Sequence, residues 1–404
     1  MLPVAWSTGI CCRVVRRLAA DLSLSAVVTG FAVVLVGYAS SVAIVFQAAR
    51  AVGATPAETT SWLWALGIGM GVTCIGLALW FRRPVLTAWS TPGAALIAST
   101  HGIGVRAAIG AFVVAGALML AAGATGAFAR VMGRIPAPLA AALLAGILAR
   151  FGLDAARAGT SAPWIVVPMV VSFVIARLLV PRWVVIVALV TGVVAAVGAG
   201  RLSFAHVHVA AATPHWTSPV FTASAVIGLG LPLFIVTMAG QNLPGVAVLR
   251  ANGYEAPVSE AVAVTGATTL ALAPFGGFSF NLAAITAAMC ASREAHEDPA
   301  RRYVAVVAAG VFYVALGLLG GAVVGLLAAF PSQLVETLAG LALLGTTGAA
   351  LAAAFSDERM RDAAGLTFLI TLSGIDVAGI GSAFWGVVAG AAVLGVRRLS
   401  RHSA

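Results

Sequence analysis

The chain has 404 residues, 61% of them hydrophobic and 9% charged, with a mean hydropathy of +1.06. Soluble domains carry about 25% charged residues, so a soluble globular protein is excluded and a polytopic membrane protein remains. The formal charge of +10 comes from 23 basic residues, every one an arginine, and their dispersal along the chain excludes a nucleic-acid surface.

Residues 1–20 hold Arg13, Arg16 and Arg17 ahead of an apolar run that no small-residue cleavage site follows, and they read as a cytoplasmic leader. Apolar segments then predict spans at 25–48, 59–81, 104–126, 135–152, 163–180, 182–200, 220–243, 257–272, 302–328, 332–354, 361–375 and 377–397. Two more segments, 83–100 and 274–290, are apolar but interrupted. Pro84, Pro92 and Gly93 break the first around Trp89, Ser90 and Thr91, and Pro274, Gly276 and Gly277 break the second ahead of Phe278, Ser279, Phe280 and Asn281. Each is either an ordinary Pro-kinked helix or a stretch of non-helical backbone, which the bilayer tolerates only where protein or a water-filled cavity satisfies it.

Counting both as crossings gives an all-α protein with fourteen spans and both termini on one side. With the N-terminus cytoplasmic, 18 arginines fall inside and 5 outside, namely Arg50, Arg106, Arg150, Arg157 and Arg201, as the positive-inside tendency requires. Dropping either segment as a crossing would reverse every later loop and damage that bias.

A slide of 200 residues lays the segment from Phe31 over the segment from Leu231 and matches Arg50 with Arg250, Ala51 with Ala251 and Gly53 with Gly253. A slide of 190 lays the segment from Arg83 over that from Ala273. Seven spans per half is an odd number, so the halves are inverted, as in many secondary transporters. The predicted organisation is a leader at 1–20, a first seven-span repeat at 21–200, an extracytoplasmic connection at 201–219, an inverted second repeat at 220–397 and a cytoplasmic tail at 398–404. The two interrupted segments stand third in each half, and a paired break points to a midplane binding site.

At AWSTPGAAL from Ala88, MAGQNLPGVAVLRANGY from Met238, PFGGFSFNLAAITAA from Pro274 and SGIDVAGIGSAFWGVVAG from Ser373, the sequence resembles the benzoate/proton symporter family, and the likeness runs from about Asp21 to the C-terminal arginines. The resemblance implies uptake of benzoate or a close aromatic carboxylate coupled to protons in a bacterial inner membrane. It also implies a fold similar to that of nucleobase and sulfate transporters, in which the repeats build a core domain and a gate domain with short strands in spans three and ten. A homodimer through the gate helices would follow, with no cofactor besides the coupling proton. Nucleobase relatives carry carboxylates in spans eight and ten, where this chain has Gln241 with Asn242 and Phe280 with Asn281. Carboxylates would repel an anion, whereas amides and helix N-termini can donate to it.

The candidate substrate-binding residues are therefore Ser90, Thr91, Gln241, Asn242, Phe278, Ser279, Phe280 and Asn281, joined by Tyr38 and Ser41, which align with the Gln241 region. Intramembrane polar groups of this kind either bind substrate or tie helices together, and the two phenylalanines either flank an aromatic ligand or pack. His206, His208 and His215 read as an amphipathic surface segment rather than a metal site. Cys11, Cys12, Cys74 and Cys290 have no metal-ligand spacing. No carboxylate falls at a predicted midplane, so the proton-binding residue stays open among Asp376, Glu260, Glu336 and His101. No enzyme signature occurs; the alternatives to a benzoate carrier are a carrier for another small anion or a nucleobase, and an anion-conducting pore.

Overall fold

A computed structural model describes residue 18 and residues 20–127, 136–202, 211–293, 295–377 and 380–402. Most of the leader with its arginines and Cys11 and Cys12, together with Arg130, Arg134, His206 and His208, lies outside the described residues. The apolar runs fold as helices, the conformation in which each segment satisfies its own backbone away from water.

The first half comprises α1 (Leu24–Ala51), α2 (Pro56–Phe81), β1 (Thr87–Trp89), α3 (Thr91–Ala98), α4 (Val105–Ala124), α5 (Ala137–Ser161), α6 (Pro163–Leu179) and α7 (Val184–Gly198). In the second half α8 (Ala223–Arg250) is followed by α9 (Val258–Leu272), β2 (Phe280–Leu282), α10 (Ile285–Ala291), α11 (Tyr303–Leu318), α12 (Gly320–Ala329), α13 (Ser332–Ala354) and α14 (Arg361–Ser373). The short hairpin of β3 (Asp376–Val377) and β4 (Ile380–Gly381) leads into α15 (Ser382–His402). Among the described residues seven helices are long and apolar enough to cross a membrane, or eight with α1, which bends by 41° between Tyr38 and Ser41.

Several boundaries differ from the sequence-based expectation, among them that of the span predicted at 377–397, whose helix is Ser382–His402 after the β3–β4 hairpin. The helix predicted to end near 152 continues to Ser161, because Asp154 and Arg157 pair across one turn at 3.1 Å and extend it past the apolar run. The predicted 302–328 span is two helices, α11 and α12, parted at Leu319. The predicted 220–243 span runs on to Arg250 and contains two π-helical turns, Val226–Gly230 and Met238–Asn242.

Helix packing exchanges members of the two halves: α2 lies against α11 as α4 lies against α9, while α5 faces α13 and the hairpins α6–α7 and α14–α15 each pack on themselves. The long contacts use small residues, as membrane helix pairs do. A Cβ on Gly67 of α2 would collide with the backbone of Gly317 on α11, and one on Gly123 of α4 with the backbone of Ala263 on α9.

The ends of α1 and α8 are built alike. Gly53 N–H donates to the Arg50 carbonyl and Gly253 N–H to the Arg250 carbonyl, both at 3.0 Å, while Ala54 and Tyr254 reach back to Ala49 and Leu249. Gly53 at φ +75° and Gly253 at φ +81° make these closures without a Cβ penalty. The connection ahead of α8 is pinned down by its backbone: Ala212 N–H donates to the Leu318 carbonyl, His215 N–H to Ser61 Oγ, Thr217 N–H to the Pro274 carbonyl and Val220 N–H to the Arg106 carbonyl.

Candidate functional site

Both interruptions are short strands followed by half-helices, and the strands pair with each other. β1 and β2 run antiparallel with Thr87 opposite Leu282, Ala88 opposite Asn281 and Trp89 opposite Phe280. The ladder is extended at its ends by Ser90 N–H to the Ser279 carbonyl at 3.1 Å and Ala283 N–H to the Leu86 carbonyl at 2.9 Å. The non-helical backbone between Pro84 and α3, and that between Gly277 and α10, thus satisfies itself across the molecule. The 190-residue slide would set Thr87 over Gly277, whereas the strands begin at Thr87 and Phe280, so the correspondence is shifted by a few residues.

Antiparallel pairing sends α3 and α10 away in opposite directions, with their N-termini at opposite ends of the ladder. The positive ends of both helix dipoles therefore face the crossing. The two starts are unlike. Ser90 caps α3, its Oγ accepting from Gly93 N–H at 3.0 Å, and Ala94 N–H reaches the Ser90 carbonyl at 2.8 Å. No side chain caps α10.

Around the ladder the structure divides the candidate residues by what they touch. Ser90 is wholly buried and, besides capping α3, accepts from Thr237 Oγ1 of α8 at 3.0 Å. Asn242 is also wholly buried; its Oδ1 accepts from Leu282 N–H at 2.9 Å and its Nδ2 donates to Met238 Sδ at 3.2 Å, so it ties the lower π-turn of α8 to β2. For these two residues helix tying, rather than an open binding surface, is what the hydrogen bonds show. Ser41 donates to the Gly37 carbonyl at 2.7 Å, a back-bond of the kind that bends helices, and accepts from Trp89 Nε1 at 3.0 Å. Tyr38 stacks edge-on against Trp89 with ring centroids 5.1 Å apart.

Phe278 and Phe280 are completely buried. Phe278 joins Trp62 and Phe112 in a cluster of rings with centroids 5.4 to 5.9 Å apart, and Phe280 fills the space over Gly69, where a Cβ would strike its ring. Both phenyl groups are part of the packed core behind the ladder, the packing alternative of the two that the sequence left open. Thr91 and Gln241 are half-buried, and Gln241 forms no hydrogen bond among the described residues. A Cβ on Gly240, beside Gln241, would lie 3.3 Å from Leu144 Cδ2 on α5 and 3.9 Å from Pro92 Cγ on α3. That places the bulged turn of α8, the start of α3 and a side chain of α5 at one seam.

Three buried polar atoms at the crossing have no hydrogen-bond partner: Tyr38 Oη, Ser279 Oγ and Asn281 Oδ1. Ser279 also holds φ at +39°, a left-handed conformation that a serine adopts only under constraint. Orphaned buried polar groups are rare in a finished core, and these three are neutral.

The sequence reading missed Thr237, Trp89 and Leu144. Thr237 lies one turn before Gln241 and carried a periodicity signal; the Trp89 and Leu144 contacts depend on which helix passes by and carried none. Of the groups left open for proton binding, His101 Nε2 accepts from Arg150 Nη2 of α5 at 3.1 Å, and Glu336 lies in the first turns of α13. Glu260 opens α9 and Asp376 begins β3.

Helices of membrane-crossing length, two half-helices and a strand pair joining them are the architecture of a multi-pass membrane protein with discontinuous segments of the kind transporters use. The fold is shared with solved structures. The transmembrane domain of a cyanobacterium bicarbonate transporter, BicA, superposes with a TM-score of 0.63 at 14% identity over 91% of this chain and 97% of that one. SLC26A9 gives a TM-score of 0.61 at 10% identity over 91% of this chain and 64% of that one. Residues 20–396 match the family of benzoate membrane transport proteins, and the chain belongs to that family. It is 46% identical to the inner membrane protein YdcO of Escherichia coli K12 over 89% of this chain and 93% of the relative. It is 37% identical to the benzoate membrane transport protein of Acinetobacter baylyi over 93% of this chain and 95% of the relative.

Proposed function

We propose that the chain is a secondary active transporter that imports benzoate, or a close aromatic carboxylate, together with protons by alternating access. The observation that carries this reading is the strand-paired break with three unpartnered polar atoms and no Asp or Glu in its strands or half-helices. Substrate identity is supported by the family and by the Acinetobacter baylyi relative named for benzoate. In this reading Gln241 and Thr91 face the carboxylate at the seam with α5, and the start of α10 lends its dipole from the opposite end of the ladder.

The same reading takes the chain as two inverted seven-span repeats, supported by the exchange of α2–α11 for α4–α9 and by the matched ends of α1 and α8. Helices α1 to α4 and α8 to α11 form the moving core, and α5 to α7 with α13 to α15 form the gate, through which two copies pair. Both termini face the cytoplasm, and the relative named an inner membrane protein supports that location.

Proteoliposomes with an inward-directed proton gradient test the function. Labelled benzoate should accumulate above equilibrium and show counterflow. Uptake indifferent to the gradient would remove the proton, current without counterflow would mean a pore, and stronger competition by a nucleobase or inorganic anion than by unlabelled benzoate would replace the substrate.

A further inference from the structure

A cavity of about 570 Å³ opens where the C-terminal end of α1 meets α5 and α13. Phe46, Phe330 and Val335 supply apolar walls, and Gln47, Arg50 and Glu336 bring polar groups. At its rim Arg157 is held by Asp154 at 3.1 Å. Arg50 is not so held: among the described residues it forms no ion pair, and its guanidinium lies 5.7 Å from the centroid of the Phe46 ring. Gln47 Nε2 is buried without a hydrogen-bond partner.

A guanidinium that feels the Glu336 charge but has no close ion pair among the described residues, a buried amide donor without an acceptor and two phenyl rings are the parts of a receptor for one planar aryl carboxylate. Guanidinium binds a carboxylate through two parallel N–H bonds, the amide can donate a third, and the rings cover the aromatic body. Glu336 is the opposing element, a like charge in the same cavity that weakens the capture of an anion. The same two helices, α1 and α5, also border the break. Nine residues separate Ser41 from Arg50 on α1 and ten separate Leu144 from Asp154 on α5, which at about 1.5 Å per residue is roughly 13 to 15 Å along each helix.

We propose that this cavity is an entry site that captures the aryl carboxylate before it reaches the strand-paired break, with Arg50 and Gln47 as the receiving groups and Glu336 as the residue that keeps the affinity low enough for release. The inference rests on the benzoate reading and on the orientation that puts the end of α1 outside.

Initial rates of benzoate uptake into proteoliposomes, measured for the parent, Arg50→Gln, Arg50→Lys and Glu336→Gln, test it. Loss of a charge-assisted pair should raise KM about fivefold or more in Arg50→Gln, with partial recovery in Arg50→Lys. Removing the like charge in Glu336→Gln should lower KM about two- to threefold, and 0.5 M salt should shrink both differences. The maximal rate should change little, since neither residue touches the break. Opposite signs at the two positions are the discriminating result, because a purely structural role would move both the same way. Unchanged KM in both variants, or a rise in both, overturns the entry site while leaving the benzoate reading intact. If Arg50→Gln does not assemble, as judged by gel filtration, Gln47→Leu takes its place with the same expected rise. A parent protein without saturable benzoate uptake overturns the benzoate reading itself, and the proposed ligand of this cavity with it.

Discussion

The Leu282 amide of β2 donates to the Asn242 side chain of α8 at 2.9 Å, and through that bond the bulged turn of one helix is fastened to the strand that crosses the molecule. Asn242 is the last residue of a π-turn. Such turns place a side chain where a regular helix would not, and here the amide reaches a backbone N–H that the ladder leaves open. Removing it should loosen the site as a whole. Asn242→Leu is expected to cost about 1 to 3 kcal/mol, the range for a buried donor left unsatisfied. Thermal unfolding of the detergent-solubilised protein reads this as a lowered midpoint, with transport falling in step.

Gln241, the neighbour of Asn242, should behave in the opposite manner. It is half-buried and free of hydrogen bonds among the described residues, so Gln241→Ala should leave the unfolding midpoint close to the parent while weakening benzoate binding roughly tenfold or more, as for a hydrogen bond to a charged group worth about 1.5 to 3 kcal/mol. Gln241→Glu should be worse than alanine at neutral pH, because it adds repulsion where alanine removes a donor. Equilibrium binding of both variants decides it; parent-like affinity in Gln241→Glu would move the carboxylate site elsewhere.

The seam at Gly240 and Leu144 offers a test of motion. If the core slides against the gate, a short bismaleimide bridging Gly240→Cys and Leu144→Cys, in a background freed of native cysteines, should abolish uptake. The single-cysteine variants treated with the same reagent are the controls. Full uptake by the crosslinked protein, verified by mass spectrometry, would show that this seam does not move.

Close helix approach predicts a stability effect far from the site. Gly67→Val would drive a side chain into the Gly317 backbone, and overpacking of this kind costs about 1 to 3 kcal/mol. Thermal unfolding should register the loss, and the KM of the protein that remains folded should match the parent.

Much of this arrangement was legible in the sequence. Pro84 ahead of β1, Pro92 at the first turn of α3, and Pro274 with Gly276 and Gly277 ahead of β2 marked both breaks, because proline cannot continue a helix although it can open one. Arg50 with Gly53 and Arg250 with Gly253 marked two helix ends whose hydrogen bonds prove to be matched. What the sequence could not convey was the use of each polar side chain. Ser90, Asn242 and Gln241 look alike as polar residues in apolar surroundings, yet the first caps α3, the second holds β2 and the third makes no side-chain hydrogen bond among the described residues. The difference is set by which backbone N–H passes within reach, a property of the assembled helices. Phe278 and Phe280 show the same limit, since only the fold reveals that Trp62, Phe112 and Gly69 wait behind them.

The pairing of Ala88 with Asn281 also has a bearing on how the protein is made. β1 leaves the ribosome long before its partner: nearly two hundred residues separate them, and at about 5 to 20 residues per second translation needs roughly 10 to 40 seconds to cover that distance. Throughout that interval the first broken segment has entered the membrane with amide groups that only β2 can satisfy, and lipid offers no substitute. The nascent first half is therefore an unfinished body that must be sheltered, by the insertion machinery or by water at its break, until the second half arrives. A chain truncated after α7 should be cleared by membrane proteases rather than persist as half a transporter.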